Sequence, residues 1–109
     1  MEKSAVMKQA YTSNGLCIDG GGTFTLPRLI GMAKALEIAA FDDVIPAQKA
    51  LEWGLVTRVV ENGKSLEAAR TLLSRITRKS RHSFGMVKNL FNDSFGHSLE
   101  TTLEKVDQD

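Results

Sequence analysis

The alternation of apolar and polar positions divides the chain into short stretches separated by glycine- and proline-marked turns. Ala5–Tyr11 carries Val6, Met7, Ala10 and Tyr11 and predicts a short strand, weakened by Lys8 and Gln9 and with no partner strand following nearby. Gly15 opens a loop that runs to Gly20-Gly21-Gly22-Thr23. From Thr23 the spacing becomes helical through Leu26, Leu29 and Ile30, and Pro27 is tolerable only if it lies in the first turn. Gly31 breaks or kinks that helix. Met32–Phe41, with Ala33, Lys34, Ala35, Leu36 and Glu37, predicts a second helix built from strong helix formers.

Pro46 suits the first position of a third helix and Gly54 its left-handed cap. Leu55–Val60 reads as a strand on its β-branched content, and Glu61-Asn62-Gly63-Lys64 as a turn. Ser65 is placed to cap a long helix with Leu66, Ala69, Leu72, Leu73 and Ile76 on one face. Arg75, Arg78, Lys79 and Arg81 stand at its far end, where cations suit the helix dipole. Two further helices follow, Ser83 to about Ser94 with Gly96 as the stop, and Ser98 to about Asp107. Two strands so far apart in sequence are not expected to pair. The expected fold class is a mainly α piece with one or two short strands and loose ends.

Composition narrows this picture little. With 109 residues, 42% hydrophobic, 25% charged and a net charge of +1, the chain suits one globular unit. The balance gives no signal for nucleic acid or an anionic membrane. A lone cysteine, Cys17, excludes an intramolecular disulfide framework, and a small buried hydrophobe is its expected role. No apolar run approaches the roughly 20 residues of a membrane span. Met1-Glu2-Lys3-Ser4 lacks a signal peptide's apolar core, so a cytoplasmic location is expected.

The chemistry concentrates in Gly15-Leu16-Cys17-Ile18-Asp19-Gly20-Gly21-Gly22-Thr23. The glycines let backbone approach a ligand closely. The following helix N-terminus favours Asp19 as an anion, whereas Leu16, Cys17 and Ile18 would desolvate it. Asp19 reads equally as a helix cap. His82 and His97 lack metal-ligand spacing, and the cations around His82 read as a solvated helix end. Trp53 is expected to pack under the helix it ends.

Two families resemble parts of this pattern. Ile18-Asp19-Gly20-Gly21-Gly22-Thr23 is similar to the first phosphate loop of the sugar-kinase, heat-shock chaperone and actin superfamily, where the turn joins two strands. Pro27 and the helical spacing of Leu26, Leu29 and Ile30 oppose that context.

The longer resemblance is to the enoyl-CoA hydratase/isomerase (crotonase) family. Gly15–Gly31, with Asp19-Gly20-Gly21-Gly22-Thr23 and Leu26-Pro27-Arg28-Leu29-Ile30-Gly31, resembles the loop and helix after the family's spiral core. Ala33-Lys34-Ala35-Leu36-Glu37 continues the match. Ile45-Pro46-Ala47 through Ala50-Leu51-Glu52-Trp53-Gly54-Leu55-Val56 and Met86-Val87-Lys88-Asn89-Leu90-Phe91-Asn92 keep the register. The resemblance implies the C-terminal helical, trimer-forming part of an α/β spiral fold. Residues 1–22 would end the spiral core and 23–109 form the helical region, with both oxyanion-hole segments upstream and the family's last helix missing.

The same resemblance implies acyl-CoA thioester substrates, with coenzyme A entering as part of the substrate and no separate cofactor or metal. It implies a homotrimer or hexamer as the assembly. Tyr11 stands where the hydratases carry a glutamate. Asp19 matches the catalytic aspartate of the isomerase branches, and the nucleophile of the dehalogenase branch. An acid/base role for Asp19 in double-bond or ring isomerisation follows from that match, with Leu16, Gly20, Gly21, Gly22 and Leu26 against the substrate. Ile18, where the family often has proline, is expected to loosen this loop. The 109 residues alone are expected to be inactive, and their apolar helix faces also fit a helical oligomerisation module.

The phosphate-loop reading has a direct check. Mg-ATP should leave the melting midpoint unmoved in differential scanning, whereas a bound ligand at about 100 times its Kd adds roughly 2.7 kcal/mol. An ATP-dependent rise would revive the phosphotransferase reading.

Overall fold

One glycine separates the first two helices of the computed structural model, which describes residues 1–107. Helix α1 spans Gly22–Ile30 and α2 spans Met32–Phe41. Gly31 between them has φ 84° and ψ 162°, a backbone region nearly closed to residues with a Cβ. Pro27 is the sixth residue of α1, beyond the first turn to which the sequence confined it. It lacks the N–H that the Thr23 carbonyl would have accepted. The short helix is secured at its ends instead. The N–H groups of Phe24 and Thr25 both donate to the Gly21 carbonyl at 3.0 Å, and Gly31 donates to the Pro27 carbonyl at 2.9 Å.

Helix α3, Ala47–Glu52, starts just after Pro46, so the proline sits at the cap and not inside the first turn. Gly54 closes it with φ 81°, as the sequence indicated. The closure consumes the next backbone groups, because Leu55 and Val56 both donate to the Ala50 carbonyl, at 2.9 and 3.3 Å. This corrects the strand expected over Leu55–Val60. Its first N–H groups belong to the helix end, Leu55 and Val56 pack on the core, and Val60 makes only an isolated parallel bridge to Glu2. Lys64 N–H donates to the Glu61 carbonyl at 3.1 Å, the turn expected there.

A sheet does form, from different residues. Strand β1, Val6–Met7, pairs antiparallel with β2, Ile45–Pro46, setting Val6 opposite Pro46 and Met7 opposite Ile45. Sequence distance is no barrier, because the intervening α1 and α2 pack on each other and return the chain to β1. The core cluster consists of Leu26, Ala35, Ile38, Ile45 and Ala50, flanked by Met1, Ile30, Trp53, Leu55 and Val56. Trp53 is half-buried against it, as expected, with the Lys34 and Lys49 ammonium groups 4.4 and 5.6 Å from its ring centre.

Asp42 is the polar residue inside this unit, only 4% exposed. It ends α2 with φ 50° and donates its N–H to the Ile38 carbonyl. A carboxylate at a helix C-terminus faces the negative end of the dipole and needs donors when buried. It receives them from the Ala10 N–H at 2.7 Å, the Ser13 N–H at 3.3 Å and the Ser13 hydroxyl. The Ser13 hydroxyl, then the two backbone N–H groups, hold its carboxyl below the usual 3.8.

The length suggested one unit, but the chain forms two, Met1–Ala68 and a second from Ala69 onward. Helix α4, Ser65–Thr77, begins in the first. At its start the Ser65 hydroxyl donates to Glu2 Oε1 at 2.8 Å. Helix α5, Arg81–Asp93, starts earlier than expected because Ser80 accepts from the Ser83 N–H at 3.1 Å. Arg81 therefore opens α5 instead of ending α4. Helix α6, Leu99–Asp107, is capped by Ser98, which accepts the Thr101 N–H at 3.2 Å, as the sequence indicated. Within this second unit Lys105 bonds Asp93 at 2.9 Å, while Phe84, Phe91, Leu99 and Leu103 are exposed. Among the described residues no helix is long and apolar enough to cross a membrane.

The Asp42 contribution has a pH signature. Its folded-state pKa is lowered, so its stabilisation is complete above about 3.8 and is lost as pH falls through the lower folded value. Asp42→Asn should melt lower at neutral pH and show a shallower fall in melting temperature below pH 4. An unchanged acid limb in the variant would refute this role.

Candidate active site

The loop that carries Asp19 is built between two turns. Thr12–Asn14 form a single 3₁₀ turn closed by Gly15 at φ 70°, whose N–H donates to the Thr12 carbonyl at 3.0 Å. The Tyr11 carbonyl accepts the N–H groups of Asn14 and Leu16, at 3.0 and 2.9 Å. At the other end Gly20 and Gly21 have φ 60° and 81°, and the Gly22 N–H donates to the Asp19 carbonyl at 3.0 Å. The glycines serve geometry here, turning the chain sharply into α1.

The Asp19 side chain does not cap α1. The cap residue is Gly21, with no side-chain hydrogen bond. Instead the Tyr11 hydroxyl donates to Asp19 Oδ1 at 2.6 Å. This bond, and then the negative charge of Asp19, push the Tyr11 phenol above its usual 10.0. A short O–H···O⁻ contact of this kind is among the stronger hydrogen bonds, and it occupies one carboxylate oxygen while leaving Oδ2 for another partner.

The remaining sequence candidates separate. Gly22 and Leu26 both line an apolar cavity of about 200 Å³ with Ile18, Pro27, Met32 and Leu36. Leu26 is also a core residue, 6% exposed, whereas Leu16 is 60% exposed. Gly20 and Gly21 shape the turn beside Asp19. Ile18 packs closely over Gly22. Its Cγ2 lies 2.5 Å from where a Gly22 side chain would begin, so Gly22 is the residue that lets it pack. Cys17 is exposed, which corrects its expected burial; Ile18, the residue after it, is the partly buried one. Two residues that the sequence did not select matter most. Tyr11 registered as the end of a strand and as a missing glutamate, and Asp42 gave no local signal, since its side-chain partners lie 29 to 32 residues away.

A family model described as enoyl-CoA hydratase/isomerase matches residues 1–109. The chain belongs to the enoyl-CoA hydratase/isomerase family. Among its relatives, the 1,2-epoxyphenylacetyl-CoA isomerase of Escherichia coli is 30% identical over 102 residues, covering 94% of this chain and 39% of that protein. The trans-2-decenoyl-[acyl-carrier-protein] isomerase of Streptococcus mutans is 34% identical over 103 residues, covering 89% and 39%. The crystal structure of an enoyl-CoA hydratase from Bacillus anthracis superposes with a TM-score of 0.92 at 30% identity, covering 98% of this chain and 42% of that one. The helices and short strands therefore reproduce part of the crotonase fold, as expected from the sequence. The chain spans about two fifths of the length of these family members.

Tyr11 is the one tyrosine of the chain, so the ultraviolet phenolate band titrates it alone. The midpoint should lie above 10.0 and fall back toward it in Asp19→Ala, because both the hydrogen bond and the charge that raise it are gone. Coincident titrations in the two chains would break the Tyr11–Asp19 pairing.

Proposed function

We propose that the whole protein isomerises a double bond or ring in an acyl-CoA thioester, with Asp19 as the acid/base group. As a carboxylate, Asp19 takes a proton from a carbon of the acyl group. The electron pair left behind delocalises into the thioester carbonyl as an enolate, and the resulting carboxylic acid returns the proton to a different carbon. The enolate oxygen needs fixed N–H donors, which in this reading belong to parts of the whole protein beyond these residues. Coenzyme A enters with the substrate and no metal or further cofactor is invoked.

The observation that carries the reading is the 2.6 Å bond from Tyr11 to Asp19. It keeps the carboxylate off the helix it precedes and presents it as a side chain with one oxygen uncommitted. Tyr11 in place of a second carboxylate disfavours hydration by a pair of acids. Two relatives that bear the name isomerase favour the same choice. In this reading residues 1–22 complete a spiral core and active-site loop, and residues from 23 onward form the helical region of a trimer. The cavity beside Gly22 and Leu26 provides apolar wall for the acyl group, with Leu16, Gly20 and Gly21 nearer the carboxylate.

A second reading concerns the 109 residues alone, as a helical association module without turnover. The exposed Leu73, Phe91, Leu99 and Leu103 support it, since exposed apolar side chains favour self-association.

Asp19→Asn in the whole protein separates a proton-transfer role from a structural one. Turnover of a dienoyl-CoA substrate should fall roughly 10²–10⁴-fold, while KM hardly moves because the interaction lost is made in the transition state. Near-normal turnover in a stably folded variant would exclude the acid/base role.

A further inference from the structure

A carboxylate three residues ahead of a helix has two competing destinations, the open N–H groups of the first turn or a partner outside the helix. Asp19 takes the second, on Tyr11, and the Gly21 cap receives no side-chain bond. Tyr11 is fixed from behind in a way that an incidental surface contact would not need. On one side Ala10 has φ 62°, a conformation alanine seldom adopts, and its N–H is held by Asp42 Oδ1 at 2.7 Å. On the other side Thr12 Oγ1 donates to the Ala39 carbonyl of α2 at 2.7 Å, and Ser13 donates twice to Asp42. Asn14 Nδ2 returns to the Ala10 carbonyl at 2.6 Å. The residues flanking Tyr11 are thus anchored to the end of α2, and the phenol is aimed at a loop eight residues further along the chain.

From this geometry we infer that Tyr11 is the positioning residue for Asp19. It holds Oδ1 and so restrains the carboxylate, while the α1 N-terminus takes no side-chain cap. The inference rests on the acid/base reading of Asp19. A phenol is protonated across the neutral range, and the hydrogen bond to Asp19 raises the Tyr11 pKa further above its usual 10.0, so Tyr11 remains a donor. Tyr11 does not exchange the substrate proton; it acts through Asp19.

The test is a double-mutant cycle in the whole protein, turning over a dienoyl-CoA substrate, with Tyr11→Phe, Asp19→Asn and the double variant. Tyr11→Phe removes one hydroxyl from the surface of a turn whose anchors are untouched, and the melting temperature verifies the fold. Loss of a hydrogen bond to a charged group predicts a fall in kcat of roughly 10- to 100-fold, with KM nearly constant. In the Asp19→Asn background the same change should add almost nothing, because a residue acting through Asp19 has nothing left to position. Equal losses in both backgrounds would show a structural role and overturn the inference. So would unchanged kcat in Tyr11→Phe while Asp19→Asn is impaired. Normal turnover in Asp19→Asn would instead remove the acid/base reading itself, and the positioning role with it.

Discussion

The buried carboxylate of Asp42 is the constraint on which the geometry of the site depends. It closes α2 at the end where the helix dipole repels an anion, and it is nearly inaccessible to water. Such a group persists only when donors converge on it. Those donors are Ala10 and Ser13, so the turn bearing Tyr11 is drawn onto α2 by the needs of one side chain. The chain of dependence then runs outward, from Asp42 to the 10–14 turn, from that turn to Tyr11, and from Tyr11 to Asp19. A polar core residue here fixes where a surface carboxylate stands.

The apolar part of the structure sets a different constraint. Leu26, Ala35, Ile38, Ile45 and Ala50 form a small core, and two of these five are alanines, which contribute close contact more than volume. Many larger apolar side chains, among them Phe24, Met32, Phe41, Phe91 and Leu99, are exposed. Their helices are amphipathic and each apolar face calls for a partner surface.

Asp19 illustrates how the two constraints meet. Gly20 and Gly21 turn the backbone into α1, Gly22 makes room for Ile18, and the apolar packing of Ile18 and Leu26 sets the floor of the loop. Above that floor the Tyr11 hydroxyl bonds the carboxylate. The loop backbone is determined by glycine stereochemistry and the side chain by a phenol.

Local chemistry by itself determined much of the secondary structure. Helix formers placed α2, glycines placed the breaks at 31 and 54, Ser98 placed the start of α6, and the loop motif singled out Asp19. Each of these depends on neighbours within about a turn, which a sequence displays. Where it failed, the deciding partner was distant. Leu55 and Val56 have strand propensity, yet their N–H groups close α3. Val6–Met7 found Ile45–Pro46 through two intervening helices. The decisive case is the choice between capping the helix and a contact outside it for Asp19. Both were open in the sequence, because an aspartate before a helix satisfies either. Only the tertiary contact that brings Tyr11 to 2.6 Å, held there by a buried anion on another helix, decided where the carboxylate points.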